Sequence, residues 1–304
     1  MSRTVTVRAP GKVNLQLGVG AARADGFHPL ASVFHAVALV EQVQVREGGH
    51  GSGVRVESVE GLQAAEVPRD GTNLAVRAAQ RLAREVGRPD PDLAITLTKA
   101  VPVAGGMAGG SADAAATLVA VNELWGAGLT SEELAAVGLE LGSDVPFALM
   151  GGTALGLGRG EQLSPVLVRG TFHWVLATAH RGLSTPAVYA AFDRRTAGRP
   201  VPEPAADAAV LAALASGDAK TLGAALVNDL QEPALSLRPT LRDVLDEGLA
   251  AGALAGMVSG SGPTCVFLVG DPAAAVSVAT RLAGREDVRS SHVTTGPAQG
   301  ARVA

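Results

Sequence analysis

Alternation of hydrophobic and polar residues predicts β-strands in both halves of the chain. In the first half the pattern occurs at TVTVR from Thr4, VRVESV from Val54 and DLAITLTK from Asp92. In the second half it predicts strand, loop and strand in AGMVSGSGPTCVFLV from Ala255, and a last strand near 288–293. Such alternation gives each strand one face for the core and one face for solvent.

Apolar residues at a spacing of three or four predict helices between these strands. SADAAATLVAVNELW begins at Ser111 and stops at Gly126, and Thr130 with Glu133 forms a capping box for a following helix. Mixed strands and helices in both halves predict an α+β fold. Other predicted helices are TNLAVRAAQRLARE from Thr72 and the regions near 207–226, 239–250 and 271–283.

Composition limits the kinds of protein this chain can be. Its 304 residues, 47% hydrophobic and 18% charged, are typical of a globular protein large enough for two domains. A single cysteine, Cys265, excludes an intrachain disulfide and fits a cytoplasmic location. The net charge of -4 gives no reason to expect nucleic acid or a membrane as partner, although a small anionic ligand remains compatible with it.

A glycine-rich run, PVAGGMAGGSAD at 102–113, lies between a predicted strand and a predicted helix. A helix N-terminus carries unpaired N–H groups, and glycines in front of it let those groups surround an anion, so the run predicts a phosphate-binding loop. It lacks the G-x-G-x-x-G spacing of dinucleotide-binding folds and the Walker pattern. GLGRG from Gly156 is also rich in glycine, but no helix pattern follows it.

Three motifs in order resemble those of the GHMP kinases. PVAGGMAGGSADAA from Pro102 resembles the second motif, APGKVNL from Ala9 the first, and VSGSGPTCVF from Val258 the third. Within that superfamily, RADGFH from Arg23 and LGSDVPF from Leu141 are similar to the branch that acts on 4-diphosphocytidyl-2-C-methyl-D-erythritol. The resemblance implies ATP-dependent, Mg²⁺-assisted phosphorylation of the 2-hydroxyl of that substrate, in the methylerythritol phosphate route to isoprenoids.

The resemblance also implies a two-domain architecture. Residues 1–155 would form a ribosomal-protein-S5-like domain that carries ATP, and residues 156–304 a ferredoxin-like domain on the substrate side. The third motif, Gly260 to Gly262, would support the nucleotide loop from the second domain. The alternatives are a GHMP kinase of the homoserine or mevalonate type and a non-catalytic ligand-binding member of the fold. The oligomeric state is left open.

Two residues match the family's catalytic positions. Asp144, in the GSDVP segment, would accept the proton of the acceptor alcohol, although on spacing alone a helix-capping aspartate is the more common role. Lys12 would stabilise the developing alkoxide, although most lysines are simply solvated. Asn14 shares a strand face with Lys12 and would donate to the substrate, or else it is a strand-edge asparagine.

The nucleotide side includes two residues outside the loop itself. Asn73 and Lys99 match positions that contact adenine in the family, with Lys99 acting through its backbone, although a helix cap and a strand-end charge are equally compatible roles. The hydroxyl of Ser111 would meet a phosphate oxygen or Mg²⁺, or cap the helix. The expected nucleotide-binding residues are Asn73, Lys99, Pro102, Gly105, Gly106, Gly109, Gly110 and Ser111.

The substrate side depends on aromatic residues. Phe27 and Tyr189 would stack on the two faces of a cytosine, and His28 would read its edge with a ring nitrogen or its backbone. Core packing and a helix stripe are the alternatives for the two aromatics. Ser184 and Thr185 both offer a hydroxyl, and Thr185 is assigned to the substrate. The remaining histidines, His50 among them, show no metal-binding spacing, so no protein metal site is predicted.

Overall fold

The computed structural model describes residues 3–49, 51–103 and 105–304. Its strands are β1 (Thr4–Val19), β2 (Leu30–Glu47), β3 (Val54–Gly61), β4 (Leu93–Lys99), β5 (Thr153–Gly158), β6 (Gln162–Pro165), β7 (Phe172–Ala179), β8 (Val227–Asn228), β9 (Ala255–Val258), β10 (Cys265–Val269), β11 (Val288–Gly296) and β12 (Arg302–Val303). Its helices are α1 (Leu74–Glu85), α2 (Gly109–Trp125), α3 (Ser131–Leu139), α4 (Val145–Met150), α5 (Thr185–Thr196), α6 (Ala208–Ser216), α7 (Ala219–Ala225), α8 (Gln231–Leu237), α9 (Thr240–Ala250) and α10 (Pro272–Ala283).

An eight-stranded sheet forms the first layer of the molecule. Its main path is β12-β1-β2-β4-β3, β5 pairs with both β2 and β6, and β8 runs parallel to β1. Helices α1 and α2 pack against this sheet with α3 and α4. Helix α2 is alanine-rich and buried on nearly every side, which is typical of a helix enclosed between other elements.

A four-stranded antiparallel sheet, β11-β7-β10-β9, forms the second layer. Because side chains alternate along a strand, β7 contributes to two cores at once. Val175 and Ala177 pack with α5, α8, α9 and α10 on one face. Trp174 and Leu176 pack on the other face with α6, α7 and residues of β1 and β2. The two sheets therefore share a continuous apolar core.

The predicted elements are largely confirmed. The strands from Thr4, Val54 and Asp92 are present, Gly126 ends α2 in a left-handed conformation, and Thr130 with Glu133 forms the capping box of α3. The helix expected from Ser111 begins two residues earlier, at Gly109, because Ala108 adopts the left-handed N-cap conformation (φ 60°).

The domain boundary expected at residues 155 and 156 stays a prediction. The first sheet continues to Pro165 through β5 and β6, and it takes two short strands, β8 and β12, from the C-terminal part. Within the described residues, no helix combines the length and the apolar character needed to cross a membrane.

Candidate active site

A cleft of about 360 Å³ is built around the glycine loop, defined here as the described residues of 102–108. The loop connects β4 to α2, and its walls come from the start of α1 and from the end of β4. All eight residues expected to bind the nucleotide line this cleft: Asn73, Lys99, Pro102, Gly105, Gly106, Gly109, Gly110 and Ser111. Their contact with a ligand stays a prediction.

Two glycines of the loop fit against the third motif so closely that a Cβ on either would meet it. A Cβ on Gly105 would lie 2.8 Å from Oγ1 of Thr264, and one on Gly106 would lie 2.9 Å from the carbonyl oxygen of Ser259. Gly106 also has a φ of +74°, which L-residues rarely adopt. The loop presents its backbone to the cleft because the third loop, defined as residues 259–264, occupies its other side.

The first turn of α2 faces the same cleft. Gly109, Gly110 and Ser111 form that turn, where backbone N–H groups have no acceptor within the helix. The positive end of the helix dipole adds to their attraction for an anion. Ser111 is therefore inside the helix, not its N-cap, because Ala108 holds that position.

A charged triad of Glu41, Lys99 and Asp113 is buried beneath the loop, and sequence reasoning missed Glu41. Nζ of Lys99 lies 2.7 Å from Oε1 of Glu41 and also contacts Oδ2 of Asp113. Glu41 accepts a hydrogen bond of 2.9 Å from the N–H of Ala100, and a Cβ on Gly109 would lie 2.9 Å from its Oε1. The only sequence feature that could have pointed to Glu41 is that it is a charged residue in a strand of mostly apolar residues.

Burial sets the charge state of this triad. It raises the pKa of Glu41 to about 8, with the nearby charge of Asp113 acting in the same direction and Lys99 opposing it. Burial also raises the pKa of Asp113. Burial thus favours a proton shared between the two carboxyl groups beside the Lys99 ammonium.

Asn73 caps α1, as the simpler interpretation of its sequence position expected. Its side-chain oxygen accepts from the N–H of Ala75 at 2.8 Å, and its Nδ2 donates to the carbonyl oxygen of Pro68 at 2.6 Å. Both polar ends of the side chain thus have protein partners at the edge of the first cleft.

Lys12 lies where β1 is distorted by two register shifts, between Pro10 and Gly11 and between Asn14 and Gln16. Its N–H donates to the carbonyl oxygen of Met107 in the glycine loop at 3.1 Å, and its Nζ donates to Oδ1 of Asn14 at 2.8 Å. Bulged strands commonly re-aim a side chain next to an active site. In β1 these shifts place the buried ammonium of Lys12 where the glycine loop and the third loop meet.

Asn14 fixes the position of that ammonium. Its Oδ1 accepts from Lys12, and its Nδ2 donates to Oγ of Ser32 at 2.7 Å. The expectation that Asn14 shares a face with Lys12 is confirmed. Its donation to a substrate stays a prediction, since both polar atoms already have protein partners.

Asp144 occupies the N-cap position of α4, yet its side chain makes no capping hydrogen bond. The common role of a capping aspartate is therefore not the one it performs. Three residues further on, Phe147 packs its ring 5.2 Å from that of Phe34, which lies 5.5 Å from Nζ of Lys12. Burial raises the pKa of Tyr189 to about 12, and the charge of Asp144 acts in the same direction.

A second, larger cleft of about 1070 Å³ contains four of the five residues expected to bind substrate: Phe27, His28, Thr185 and Tyr189. Asn14 is the fifth and does not line it. The cleft is assembled from the 23–30 segment, the end of α3 with Ser143, the turn between β5 and β6, and α5. Phe27 is 50% exposed in it.

His28 is held by protein groups on both ring nitrogens. Nδ1 donates to the carbonyl oxygen of Gly20 at 2.8 Å, and Nε2 lies 3.4 Å from a carboxylate oxygen of Asp193. Its ring packs 5.0 Å from that of Tyr189. If the ring of His28 were to bind a base edge, its Nε2 would have to give up the contact with Asp193. Recognition of the base by the backbone of His28 would leave that contact in place.

The two neighbouring hydroxyl groups of Ser184 and Thr185 have different roles. Ser184 is the N-cap of α5 and accepts from the N–H of Ala187. Thr185 lines the second cleft, and its Oγ1 lies 2.8 Å from Oγ of Ser261 in the third loop. The third loop therefore contacts the glycine loop at Gly106 and the second cleft at Thr185.

A group of three or more His, Cys, Asp or Glu side chains suited to hold a metal ion is absent from the described part of the chain. His50, interpreted from the sequence as a surface or structural residue, lies outside the described residues.

Comparisons with known proteins identify the family. Residues 73–152 match the GHMP kinases N terminal domain, and residues 210–286 match the GHMP kinases C terminal family. The 4-diphosphocytidyl-2-C-methyl-D-erythritol kinase of Mycolicibacterium smegmatis is 56% identical across 99% of this chain and 92% of its own. That of Streptomyces coelicolor is 55% identical across 99% of each chain. A crystal structure of 4-(cytidine 5'-diphospho)-2C-methyl-D-erythritol kinase, 32% identical, superposes with a TM-score of 0.74 over 97% of this chain and 98% of its own.

These similarities extend over almost the whole chain, so they bear on both sheets and both clefts. The expected GHMP kinase fold and the expected enzyme class, a small-molecule kinase, are confirmed. Kinases of the homoserine or mevalonate type are not favoured, because these relatives at 55–56% identity over almost the whole chain have another specificity in their names. The chain belongs to the GHMP kinases and, within them, to the family of 4-diphosphocytidyl-2-C-methyl-D-erythritol kinases.

Proposed function

We propose that this chain transfers the γ-phosphoryl group of ATP to the 2-hydroxyl of 4-diphosphocytidyl-2-C-methyl-D-erythritol, a step in isoprenoid precursor synthesis. One observation carries the proposal. The third loop contacts the glycine loop at Gly106, approaches Lys12 and Asn14 at Gly260, and contacts the second cleft at Thr185. The third loop therefore joins a backbone-lined cleft suited to phosphates to a side-chain-lined cleft suited to a base, and Lys12 lies beside that loop.

ATP fits the first cleft on chemical grounds. Backbone N–H groups at Gly109 to Ser111, the start of α2, attract phosphate oxygens. The glycines of the loop let its backbone pack closely against neighbouring protein groups, which holds the cleft wall in place. Mg²⁺ is usually held by one or two protein oxygens together with phosphates and water, so the hydroxyl of Ser111 suits it. The bound ion would neutralise phosphate charge.

In the proposed mechanism Asp144 accepts the proton of the 2-hydroxyl as the alcohol oxygen attacks the phosphorus in line. Lys12 stabilises the negative charge that develops on that oxygen, and Asn14 keeps the ammonium in place. The glycine-loop amides hold the phosphates. Phosphoryl transfer depends mostly on such positioning and charge stabilisation, which is what these groups provide.

The second cleft would bind the cytidine part of the substrate. Phe27 and Tyr189 both line it, and stacking on an aromatic ring contributes about 1–3 kcal/mol per base. The hydroxyl of Thr185 is available at its edge. A small-molecule substrate and a cytoplasmic location complete the proposal.

A coupled ADP-release assay tests the reaction directly. We expect turnover with the diphosphocytidyl substrate, little with homoserine, mevalonate or galactose, and competition by CMP. Turnover with mevalonate or homoserine and no competition by CMP would contradict the assignment of the second cleft.

Replacement of the proposed base tests the mechanism. We expect Asp144→Asn to fold normally and to lose kcat by about 10²–10⁴-fold, because the amide cannot accept the proton. The matched control is Asp271→Asn, at the N-cap of α10, where the side chain does accept a capping bond from the N–H of Ala274. Near-native turnover of Asp144→Asn would remove Asp144 from this role.

A further inference from the structure

The GLGRG segment, residues 156–160, has no function assigned from the sequence. In the structure it ends β5 and forms the turn into β6. Gly158 and Gly160 both have positive φ, of 75° and 99°. A Cβ on Gly160 would lie 3.2 Å from Cζ of Phe34, the ring that also lies beneath Lys12. The turn is thus packed firmly against the active-site floor.

This turn presents Arg159 to the second cleft. The guanidinium of Arg159 lies 3.7 Å from the ring centroid of Phe27, a stacking distance for a cation on an aromatic face. Asp25 joins the two partners. One of its carboxylate oxygens accepts from the N–H of Phe27 at 3.0 Å, and the other lies 3.1 Å from Nη2 of Arg159.

We propose that Arg159 is a positioning residue for base recognition: it stacks on one face of Phe27 and leaves the opposite face for the base of a cytidine nucleotide. The proposal rests on the proposed function for the identity of the ligand. It adds a positioning residue to that function, because the base would then lie between Tyr189 and a phenyl ring whose other face is covered by the guanidinium of Arg159.

Two observations support this arrangement. Phe27 stays 50% exposed although Arg159 covers one of its faces, and it lines the second cleft together with Tyr189. An exposed phenylalanine on a loop would otherwise change rotamer freely, and stacking of a base would have to restrict it. A guanidinium held by Asp25 restricts the ring beforehand, which reduces the entropy lost on binding.

The experiment measures CMP binding by calorimetry, together with the kinetics of the full reaction. For Arg159→Ala we expect the Kd of CMP and the KM of the diphosphocytidyl substrate to rise roughly three- to tenfold, while kcat and the KM of ATP change less than about twofold. Arg159→Lys keeps the charge but not the planar stack, so its Kd for CMP should lie between those of wild type and of Arg159→Ala. Asp25→Asn loosens the clamp and should raise the Kd of CMP by a smaller factor.

Arg242→Ala is the matched control, since it removes another exposed guanidinium paired with a carboxylate, that of Glu232. We expect it to leave all constants unchanged. If wild-type protein fails to bind CMP, the proposed function itself is wrong. If wild type binds CMP and Arg159→Ala binds it equally or more tightly, Arg159 covers the base site or is irrelevant to it, and the inference is overturned. A parallel rise in the KM of ATP and a fall in kcat would equally overturn it, because such losses indicate a general structural role.

Discussion

The two clefts of this kinase are built in opposite ways. The first is a backbone surface from one short segment, the glycine loop, supported by a buried triad of Glu41, Lys99 and Asp113. The second is a side-chain surface assembled from four distant segments, in which aromatic and charged groups remain partly exposed. Phosphate groups are the same in every nucleotide, and backbone N–H groups in a fixed arrangement can bind them. Recognition of one particular base requires side chains that stack on its ring and match its edge.

This contrast implies that the two clefts respond differently to substitution. Changes in backbone geometry should abolish nucleotide use and spare base recognition. Changes in side chains of the second cleft should weaken substrate binding by modest factors and leave ATP kinetics intact.

The largest effect is expected for Gly106→Ala. The new Cβ would lie 2.9 Å from the carbonyl oxygen of Ser259, at a φ of +74°. We expect kcat/KM for ATP to fall by about 100-fold, because small displacements of a positioning loop are costly, and CMP binding to change less than about twofold. Gly128 also has a φ of +74° but has open space around it, so Gly128→Ala controls for backbone strain alone. Unchanged ATP kinetics in Gly106→Ala would contradict the backbone account of the first cleft.

The buried triad gives an effect that depends on pH. The folded-state pKa of Glu41 is raised to about 8, so the folded protein binds more protons than the unfolded chain between about pH 4.5 and 8. The contribution of Glu41 to the free energy of unfolding is fully present below that window and is lost as the pH rises through 8. In wild type we therefore expect the free energy of unfolding to fall with pH by about 1 kcal/mol per unit across the window.

Glu41→Gln should flatten this dependence, measured by denaturant unfolding at several pH values. Glu60→Gln is the control, since Glu60 is an exposed carboxylate on β3. A slope that is the same in Glu41→Gln and in wild type would show that another group takes up the proton.

The smallest effects separate two adjacent hydroxyl groups at the second cleft. Ser184→Ala removes the N-cap of α5 and should cost about 1 kcal/mol of stability without changing the KM of the substrate. Thr185→Ala should raise that KM by about threefold, the value of one hydrogen bond, with little change in stability. The reverse pattern would move the substrate contact to Ser184.

Most of the fold class and the first cleft could be predicted from the sequence. The loop, the helix after it and the strand before it are contiguous, so their chemistry is visible in the order of residues 93–125. The prediction placed the start of α2 two residues late, because the left-handed conformation of Ala108 has no sequence signal comparable to that of a glycine.

The residues beneath and between the clefts were harder to identify. Glu41 lies in a long, mostly apolar strand, and only the pairing of β2 with β4 brings it to Lys99. Arg159 follows Phe27 by more than 130 positions, yet Asp25 and the turn after β5 bring the two side chains into contact.

The sequence by itself determined which local chemistry this chain carries: a glycine-rich loop before a helix, an ammonium on a strand and a carboxylate at a turn. Tertiary structure alone decided which of these groups lie close together, which already form hydrogen bonds with other protein groups, and which are exposed in a cleft. The physical reason is that backbone propensities and helix-terminus electrostatics act over a few neighbouring residues, whereas burial and side-chain pairing depend on how distant strands are registered and packed.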